Sequence, residues 1–133
     1  MSFKVLESVL RPLAYWYNQE NIEEVAVNRS GQVWLRLRGK RAYPWVMYKD
    51  EKLTKEYLTD LLYIIANTYE LPFDPVQGTP VVYATIPGDH RFSAVSGRNV
   101  MYDQDDLTGG VALTIRVHSD DVAFGLQDYG LKQ

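Results

Sequence analysis

Residues 79–117 decide the fold, and they read TPVVYATIPGDHRFSAVSGRNVMYDQDDLTGGVALTIRV. Three apolar runs, at 81–86, 92–95 and 111–117, are separated by clusters of Pro, Gly, Asn and Asp. This pattern predicts three β-strands joined by turns. Arg91 lies where a turn passes into the second run, and Arg116 lies near the end of the third. A guanidinium group binds phosphate or carboxylate through donors fixed in one plane and keeps its charge, so two arginines facing one cleft would bind an anion.

The composition indicates one folded domain. The chain has 133 residues, of which 46% are hydrophobic and 23% charged, which is enough to bury a core. A net charge of −3 gives no overall field that would hold nucleic acid or an acidic membrane. There is no cysteine, which excludes a disulfide framework, a thiolate nucleophile and a cysteine-based zinc site. Without a secretion signal or an apolar stretch of about 20 residues, we expect a cytoplasmic protein.

The first half of the chain predicts a helix followed by a hairpin. Apolar residues recur every three or four positions across 3–17, which is typical of a helix with one buried stripe. Pro12 is expected to bend or divide this helix. Residues 24–28 and 32–38 then predict two strands closed by a short turn.

The segment from 43 to 70 predicts a further edge strand and a second helix before the strands of 79–117. The third strand is expected at 43–48, and Pro44 indicates an edge position because proline cannot donate to a neighbouring strand. Thr54 is expected to cap a helix that runs to about residue 70. The sequence therefore predicts an α+β domain over 1–117, with an antiparallel sheet of about six strands and two main helices. Residues 118–133 are expected to form a linker with a short turn of helix at 122–129.

A basic cluster marks the predicted hairpin and the turn after it. In the second strand one face carries Trp34, Arg36 and Arg38, and the cluster continues with Lys40 and Arg41. The simplest interpretation is a solvated strand face. The functional alternative is contact with anionic lipid headgroups or with a neighbouring subunit.

The sequence lacks the motifs of a self-sufficient active site. A nucleotide-binding G-x-x-x-x-G-K-[ST] loop is absent, because Trp34 occupies the position of the first glycine before Gly39 and Lys40. His90 and His118 do not have the spacing of metal ligands, so no metal site is expected. No G-x-S-x-G turn presents a serine nucleophile.

Four short motifs carry a resemblance to a known family. They are LRPL at 10–13, IEEVAVNRSGQVW at 22–34, PVVYATIPGDHR at 80–91 and LTIR at 113–116. In this order the chain resembles the amino-terminal domain of the hexameric traffic ATPases of bacterial type IV secretion and conjugation systems, the secretion ATPase superfamily. The resemblance implies a PAS-like antiparallel sheet with helices packed on it. It also implies a following RecA-like ATPase domain that carries the phosphate loop, with nucleotide in the cleft between the two domains.

The resemblance also implies roles for individual residues. Arg91 and Arg116 match arginines that reach the nucleotide phosphates, and Asn28 matches an asparagine near the sugar or base. Asp89 departs from the family pattern, because the family usually has glycine two residues before the first arginine. The expected cofactor of the complete protein is ATP with magnesium, and none is expected for this chain alone, which should not hydrolyse ATP by itself.

The implied partners are the chain's own RecA-like domain, neighbouring subunits in a hexameric ring, other secretion-system ATPases and inner-membrane components. The implied location is cytoplasmic and peripheral at the bacterial inner membrane. Two other functions stay open at this point. One is a stand-alone ligand-sensing or protein-interaction domain without an ATPase attached; independently of this choice, Arg91 and Arg116 could be ordinary surface arginines with a partner carboxylate in the acidic tail. The other is a nucleic-acid-binding module that uses the basic hairpin.

Overall fold

The computed structural model describes residues 3–39, 42–75, 79–97 and 110–119. This part of the chain forms two helices and six strands. In chain order they are α1 (Phe3–Tyr17), β1 (Ile22–Val27), β2 (Gln32–Leu37), β3 (Trp45–Lys49), α2 (Lys55–Thr68), β4 (Val81–Ile86), β5 (His90–Gly97) and β6 (Gly110–Arg116). All strand pairs are antiparallel, which confirms the predicted α+β fold. The short helix expected at 122–129 lies outside the described residues, as does the linker beyond residue 119.

The sheet joins two three-stranded meanders. Its order is β3-β2-β1-β6-β5-β4, so β1 and β6 meet at the centre although they lie far apart in sequence. The edge position of β3 confirms the prediction from Pro44. The strand itself is Trp45–Lys49 rather than 43–48. Pro44 instead lies just before it and accepts a hydrogen bond from the Leu37 N–H at 2.8 Å.

The two helices cover one face of the sheet, and in the described part of the chain the other face, which we call the open face, carries no helix. α1 packs on α2 and β1, and α2 packs on β4 and β6. Residues alternate along each strand, so in β5 Phe92 and Ala94 enter the core while Arg91 and Ser93 point to the opposite face. This alternation places charged and small side chains on the open face together with Tyr83, Trp34, Met47 and Trp45, and it is the face on which the arginines lie.

Pro12 does not divide α1, which is continuous from Phe3 to Tyr17. Proline lacks the N–H that would bond the carbonyl of Ser8, four residues earlier. Ser8 is exposed, so water can satisfy that carbonyl. The buried stripe of Leu6, Leu10 and Leu13 holds the helix against the sheet on either side of the proline.

α2 begins as the sequence predicts. The Thr54 Oγ1 accepts a hydrogen bond from the Tyr57 N–H at 3.0 Å, which confirms the cap. The Tyr57 hydroxyl donates to the Val9 carbonyl at 2.6 Å and ties the two helices together. The helix ends at Thr68, and Glu70 adopts a positive φ of 56° where the chain turns away. Within the described ranges, no helix is long and apolar enough to span a bilayer.

Candidate functional site

A single row of side chains crosses the open face of the sheet from edge to edge. Each member is the direct cross-strand partner of the next. From β4 to β3 the row consists of Thr85, Arg91, Arg116, Glu24, Arg36 and Trp45. We call it the charged row. It concentrates four charges on one line of the open face.

Arg91 and Arg116 are neighbours in the charged row. They pair in the β5–β6 register, and both side chains are exposed. Directly opposite residues have Cβ atoms about 5 Å apart, and like charges at that separation destabilise a sheet. Within the described residues neither arginine has a carboxylate within 4.0 Å. The structure thus brings the two predicted arginines together as neighbours that form no ion pair among the described residues, an arrangement that favours the binding of an anion.

Glu24 and Arg36 continue the charged row beyond Arg116. Glu24 stands opposite both arginines, Arg116 on β6 and Arg36 on β2. A bulge between Ile22 and Glu24 places Glu23 beside Arg36. The Arg36 Nε donates a hydrogen bond to the Glu23 Oε1 at 3.1 Å. The Arg36 guanidinium also lies 5.8 Å from the centre of the Trp45 ring. Arg36 therefore has partners within the domain, whereas no ion pair of Arg91 or Arg116 is formed in the part of the chain that the structure describes.

Asn28 lies on the same side of the sheet as the charged row but not within it. It follows the last residue of β1 and lines a shallow cavity of ≈ 310 Å³ with small side chains such as Ala26, Ser93 and Ala112. Four residues separate Asn28 from Glu24, which corresponds to about 14 Å along the strand. Arg116 and Arg91 lie in the same row as Glu24, so Asn28 is about as far from the arginine pair along the strand direction. The predicted role of Asn28 near a sugar or base stays a prediction.

The turn before Arg91 is fixed by a buried histidine. Gly88 and Asp89 both adopt positive φ, 94° and 63°, so Asp89 takes the backbone conformation that glycine would favour. His90 is buried, and its Nδ1 accepts a hydrogen bond from the His118 backbone N–H at 2.9 Å. Its ring also lies 4.7 Å from that of Tyr17. Burial, followed by the charge of His118, lowers the pKa of His90.

The described residues of the basic cluster lie in two different positions, on the open face of β2 and beyond the end of that strand. Trp34 and Arg36 project from the open face of β2, in keeping with their alternation. Arg38 lies beyond the strand, where its Nη2 donates to the Ile22 carbonyl at 3.4 Å. Lys40 and Arg41 lie outside the described residues. The predicted contact of this cluster with a membrane or a subunit stays a prediction.

Two features of the site had no clear signal in the sequence. The position of Glu24 depends on the pairing of β1 with β6, which no local motif specifies. His90 had been considered only as a metal ligand, and its bond to His118 depends on the end of β6 lying beside the start of β5. In the described part of the chain, no group of three or more His, Asp or Glu residues could hold a metal ion.

Comparison with known proteins gives a likeness among solved structures. No family model matches the sequence, and no curated protein matches it. Among solved structures, the chain is similar to the VirB11 ATPase from the Brucella suis type IV secretion system, solved in complex with sulphate. The TM-score is 0.68 and the sequence identity 26%, over 93% of this chain. The match spans 37% of the VirB11 chain, and it supports the fold of a VirB11-like N-terminal domain.

Proposed function

We propose that this chain is the N-terminal, nucleotide-contacting and assembly domain of an ATPase that powers type IV secretion or conjugative transfer. The observation that carries the proposal is the direct pairing of Arg91 with Arg116, two exposed arginines without an ion pair among the described residues, on a fold similar to that of a secretion ATPase. Two guanidinium groups held on adjacent central strands bind a terminal phosphate better than a single flexible side chain does, because the sheet fixes their separation.

In the proposed mechanism a RecA-like domain supplies the phosphate loop and holds ATP with magnesium. Arg91 and Arg116 approach from the sheet and bind the terminal phosphate, where they stabilise the charge that develops during its transfer. Asn28, farther along the same face, would contact the sugar or base. This chain contributes no phosphate loop and no catalytic base, so it assists catalysis rather than carrying it out.

The other proposed features follow from the same role. The domain would work beside its own RecA-like domain and neighbouring subunits of a hexamer, at the cytoplasmic side of the bacterial inner membrane. There it would meet other secretion-system ATPases and inner-membrane components, and the cluster from Trp34 to Arg41 would contact anionic lipid or a neighbouring subunit.

ATP turnover by the complete gene product that carries this sequence tests the proposal. Arg91→Gln and Arg116→Gln should each lower kcat by about 100-fold or more, since each removes charge stabilisation of the transferred phosphate. The matched control is Arg29→Gln, an exposed arginine in the β1–β2 turn, which should leave turnover unchanged. Circular dichroism should show that all three variants remain folded.

The outcomes separate the proposal from its rivals. Unchanged turnover in both Arg91→Gln and Arg116→Gln would refute the assignment. A stop codon directly after this sequence, with no phosphate loop in the gene product, would favour a stand-alone sensing or interaction domain. Salt-dependent DNA binding that is lost in Arg36→Ala would favour a nucleic-acid-binding module.

A further inference from the structure

A buried histidine joins the two strand ends that carry the arginine pair. His90 is the first residue of β5, and only 8% of its surface is exposed. Its Nδ1 accepts a hydrogen bond at 2.9 Å from the backbone N–H of His118, two residues beyond the end of β6. We call this hydrogen bond the His90 latch. Arg91 directly follows His90, and Arg116 lies two residues before His118, so the latch is next to both arginines along the chain.

The arginine pair is the last pair of the β5–β6 ladder at this end of the sheet. Strand ends fray easily, and the like charges of Arg91 and Arg116 push these two ends apart. On its far side β5 is held by β4, and β6 is held by β1, where the Val117 N–H donates to the Glu23 carbonyl at 2.9 Å. The His90 latch joins β5 to β6 beyond their last pair. It therefore fixes the separation of the two arginines against their mutual repulsion.

The His90 latch requires a neutral imidazole. A histidine nitrogen that accepts a hydrogen bond carries no proton, so the proton of neutral His90 lies on Nε2. Protonation adds an N–H at Nδ1 that points at the N–H of His118, and an attractive contact becomes a repulsive one. Uptake of a proton by His90 therefore opens the latch.

The surroundings of His90 keep its imidazole neutral at neutral pH. On α1 the Tyr17 ring lies 4.7 Å from the imidazole, and Glu7 lines the same cavity of ≈ 330 Å³. Burial, with the nearby charge of Glu7, raises the pKa of Tyr17 to about 12, so its hydroxyl stays neutral. The charged neighbours on the strand side are His118 and Asp89. Burial lowers the pKa of His90, the charge of His118 lowers it further, and Asp89 offsets only part of the shift.

We propose that His90 is a positioning residue for the anion site and makes that site sensitive to pH. With the latch closed, the neutral imidazole holds β5 and β6 at the separation at which Arg91 and Arg116 bind one anion together. With the latch open, the two strand ends move apart and the arginines no longer act on the same anion. The inference deepens the proposed function and rests on it, since it assumes that the arginine pair binds a terminal phosphate.

Acidification should weaken anion binding, which is the opposite of what the net charge alone would do. Protonation of histidines and carboxylates makes the chain more positive as the pH falls, and a more positive surface attracts anions more strongly. Opening of the latch has the reverse effect. The open form takes up a proton with the ordinary histidine pKa of about 6.5, so each pH unit below that value shifts the latch towards the open form by up to about tenfold. The direction of the change therefore separates the latch from simple electrostatics.

A titration of the 15N-labelled chain with sulfate at pH 8 and at pH 5 tests the proposal. Sulfate keeps its two charges across this range, and its binding is followed through the amide resonances of β5 and β6. The chain has two histidines, so His118→Gln leaves His90 as the only one and keeps the backbone N–H of the latch. In this variant the affinity for sulfate should fall at least about twofold from pH 8 to pH 5.

Substitutions of His90 separate its proton from its hydrogen bond. His90→Asn, added to His118→Gln, places an acceptor oxygen where Nδ1 lies but takes up no proton. It should bind sulfate as tightly as His118→Gln at pH 8 and lose no affinity at pH 5. His90→Leu removes the acceptor and should bind sulfate weakly at both pH values. If His90→Leu does not fold, the pH profiles of His118→Gln with and without His90→Asn decide.

Hydrogen exchange of the His118 amide tests the latch without an anion. At a single pH this amide should be protected in the wild type and in His90→Asn, and it should exchange faster in His90→Leu. Equal exchange in all three, or sulfate binding by His118→Gln that is unchanged or stronger at pH 5, would overturn the proposal. Absence of sulfate binding by the wild type would refute the anion site itself. Binding that is equally strong in His90→Leu would instead refute the positioning role and leave the anion site standing.

Discussion

Replacing Glu24 with glutamine should strengthen the binding of phosphate to the arginine pair. Glu24 stands directly opposite Arg116 in the charged row, one strand away from the pair. Its carboxylate repels any anion that binds between Arg91 and Arg116. Glutamine keeps the shape of the side chain and removes the charge, so the change in affinity reports the electrostatic interaction.

The magnitude follows from the spacing of the strands. Neighbouring strands are about 4.8 Å apart, so an anion centred on the pair lies about 7 Å from Glu24. A phosphate dianion at that distance in a medium of solvent-like permittivity is repelled by about 1 kcal/mol at low ionic strength, which corresponds to about fivefold in affinity. Screening at 0.15 M salt reduces the effect to about twofold.

The assay is a titration of the 15N-labelled chain with inorganic phosphate at pH 8, followed through the amide resonances of β5 and β6. Glu51→Gln is the matched control, because Glu51 is an exposed acid in the loop after β3 and lies outside the charged row. It should leave the affinity unchanged. Equal or weaker phosphate binding by Glu24→Gln at low salt would refute the electrostatic reasoning.

Two further predictions concern the turn that positions Arg91. Gly88→Ala should lower the free energy of unfolding by about 2 kcal/mol, because Gly88 has a positive φ and an added Cβ would lie 2.7 Å from His90 Nε2. Gly31 also has a positive φ, 77°, but has open space around it, so Gly31→Ala should lower the free energy of unfolding by only about 1 kcal/mol. Equal losses in urea denaturation would contradict the steric account. Burial lowers the pKa of His90 below its usual value of 6.5, so the unfolded chain binds a proton at His90 more readily than the folded chain does. The stability that the neutral, buried His90 contributes at neutral pH is therefore lost as the pH falls below 6.5. Thermal unfolding should therefore depend less on pH between 7.5 and 5.5 in His90→Asn than in the wild type, and identical pH profiles would count against a buried neutral His90.

The local parts of this fold could be predicted from the sequence, and the long-range parts could not. Alternation of apolar and polar residues identified the strands, and Thr54 marked the start of α2, because both signals act over a few neighbouring residues. The pairing of β1 with β6 joins segments some 90 residues apart and has no local signature. Pro12 was expected to bend or divide α1, but the apolar stripe outweighs one missing hydrogen bond and the helix is undivided.

The site shows the same division. The arginine side chains of Arg91 and Arg116 indicated an anion site. Arg91 is at the start of one strand and Arg116 at the end of the next, so antiparallel pairing of these strands can bring the two residues side by side. Whether the two arginines are direct cross-strand partners depends on the β5–β6 register. The twelve-residue connection from 98 to 109 does not specify that register. The place of Glu24 beside them depends on a second register, between β1 and β6. Registers of this kind are set by the packing of the whole core, so the charged row became visible only in the folded chain.

The most direct test of the central claim is a double-mutant cycle for phosphate binding with Arg91→Gln and Arg116→Gln. If the two guanidinium groups form one site, each single variant should lose at least about fivefold in affinity, and the double variant should lose less than the product of the two, because one arginine alone no longer encloses the anion. Saturable shifts centred on β5 and β6 in the wild type, together with this coupling, are the predicted result. Losses that multiply independently, or a double variant that binds phosphate with the wild-type affinity, would contradict the account.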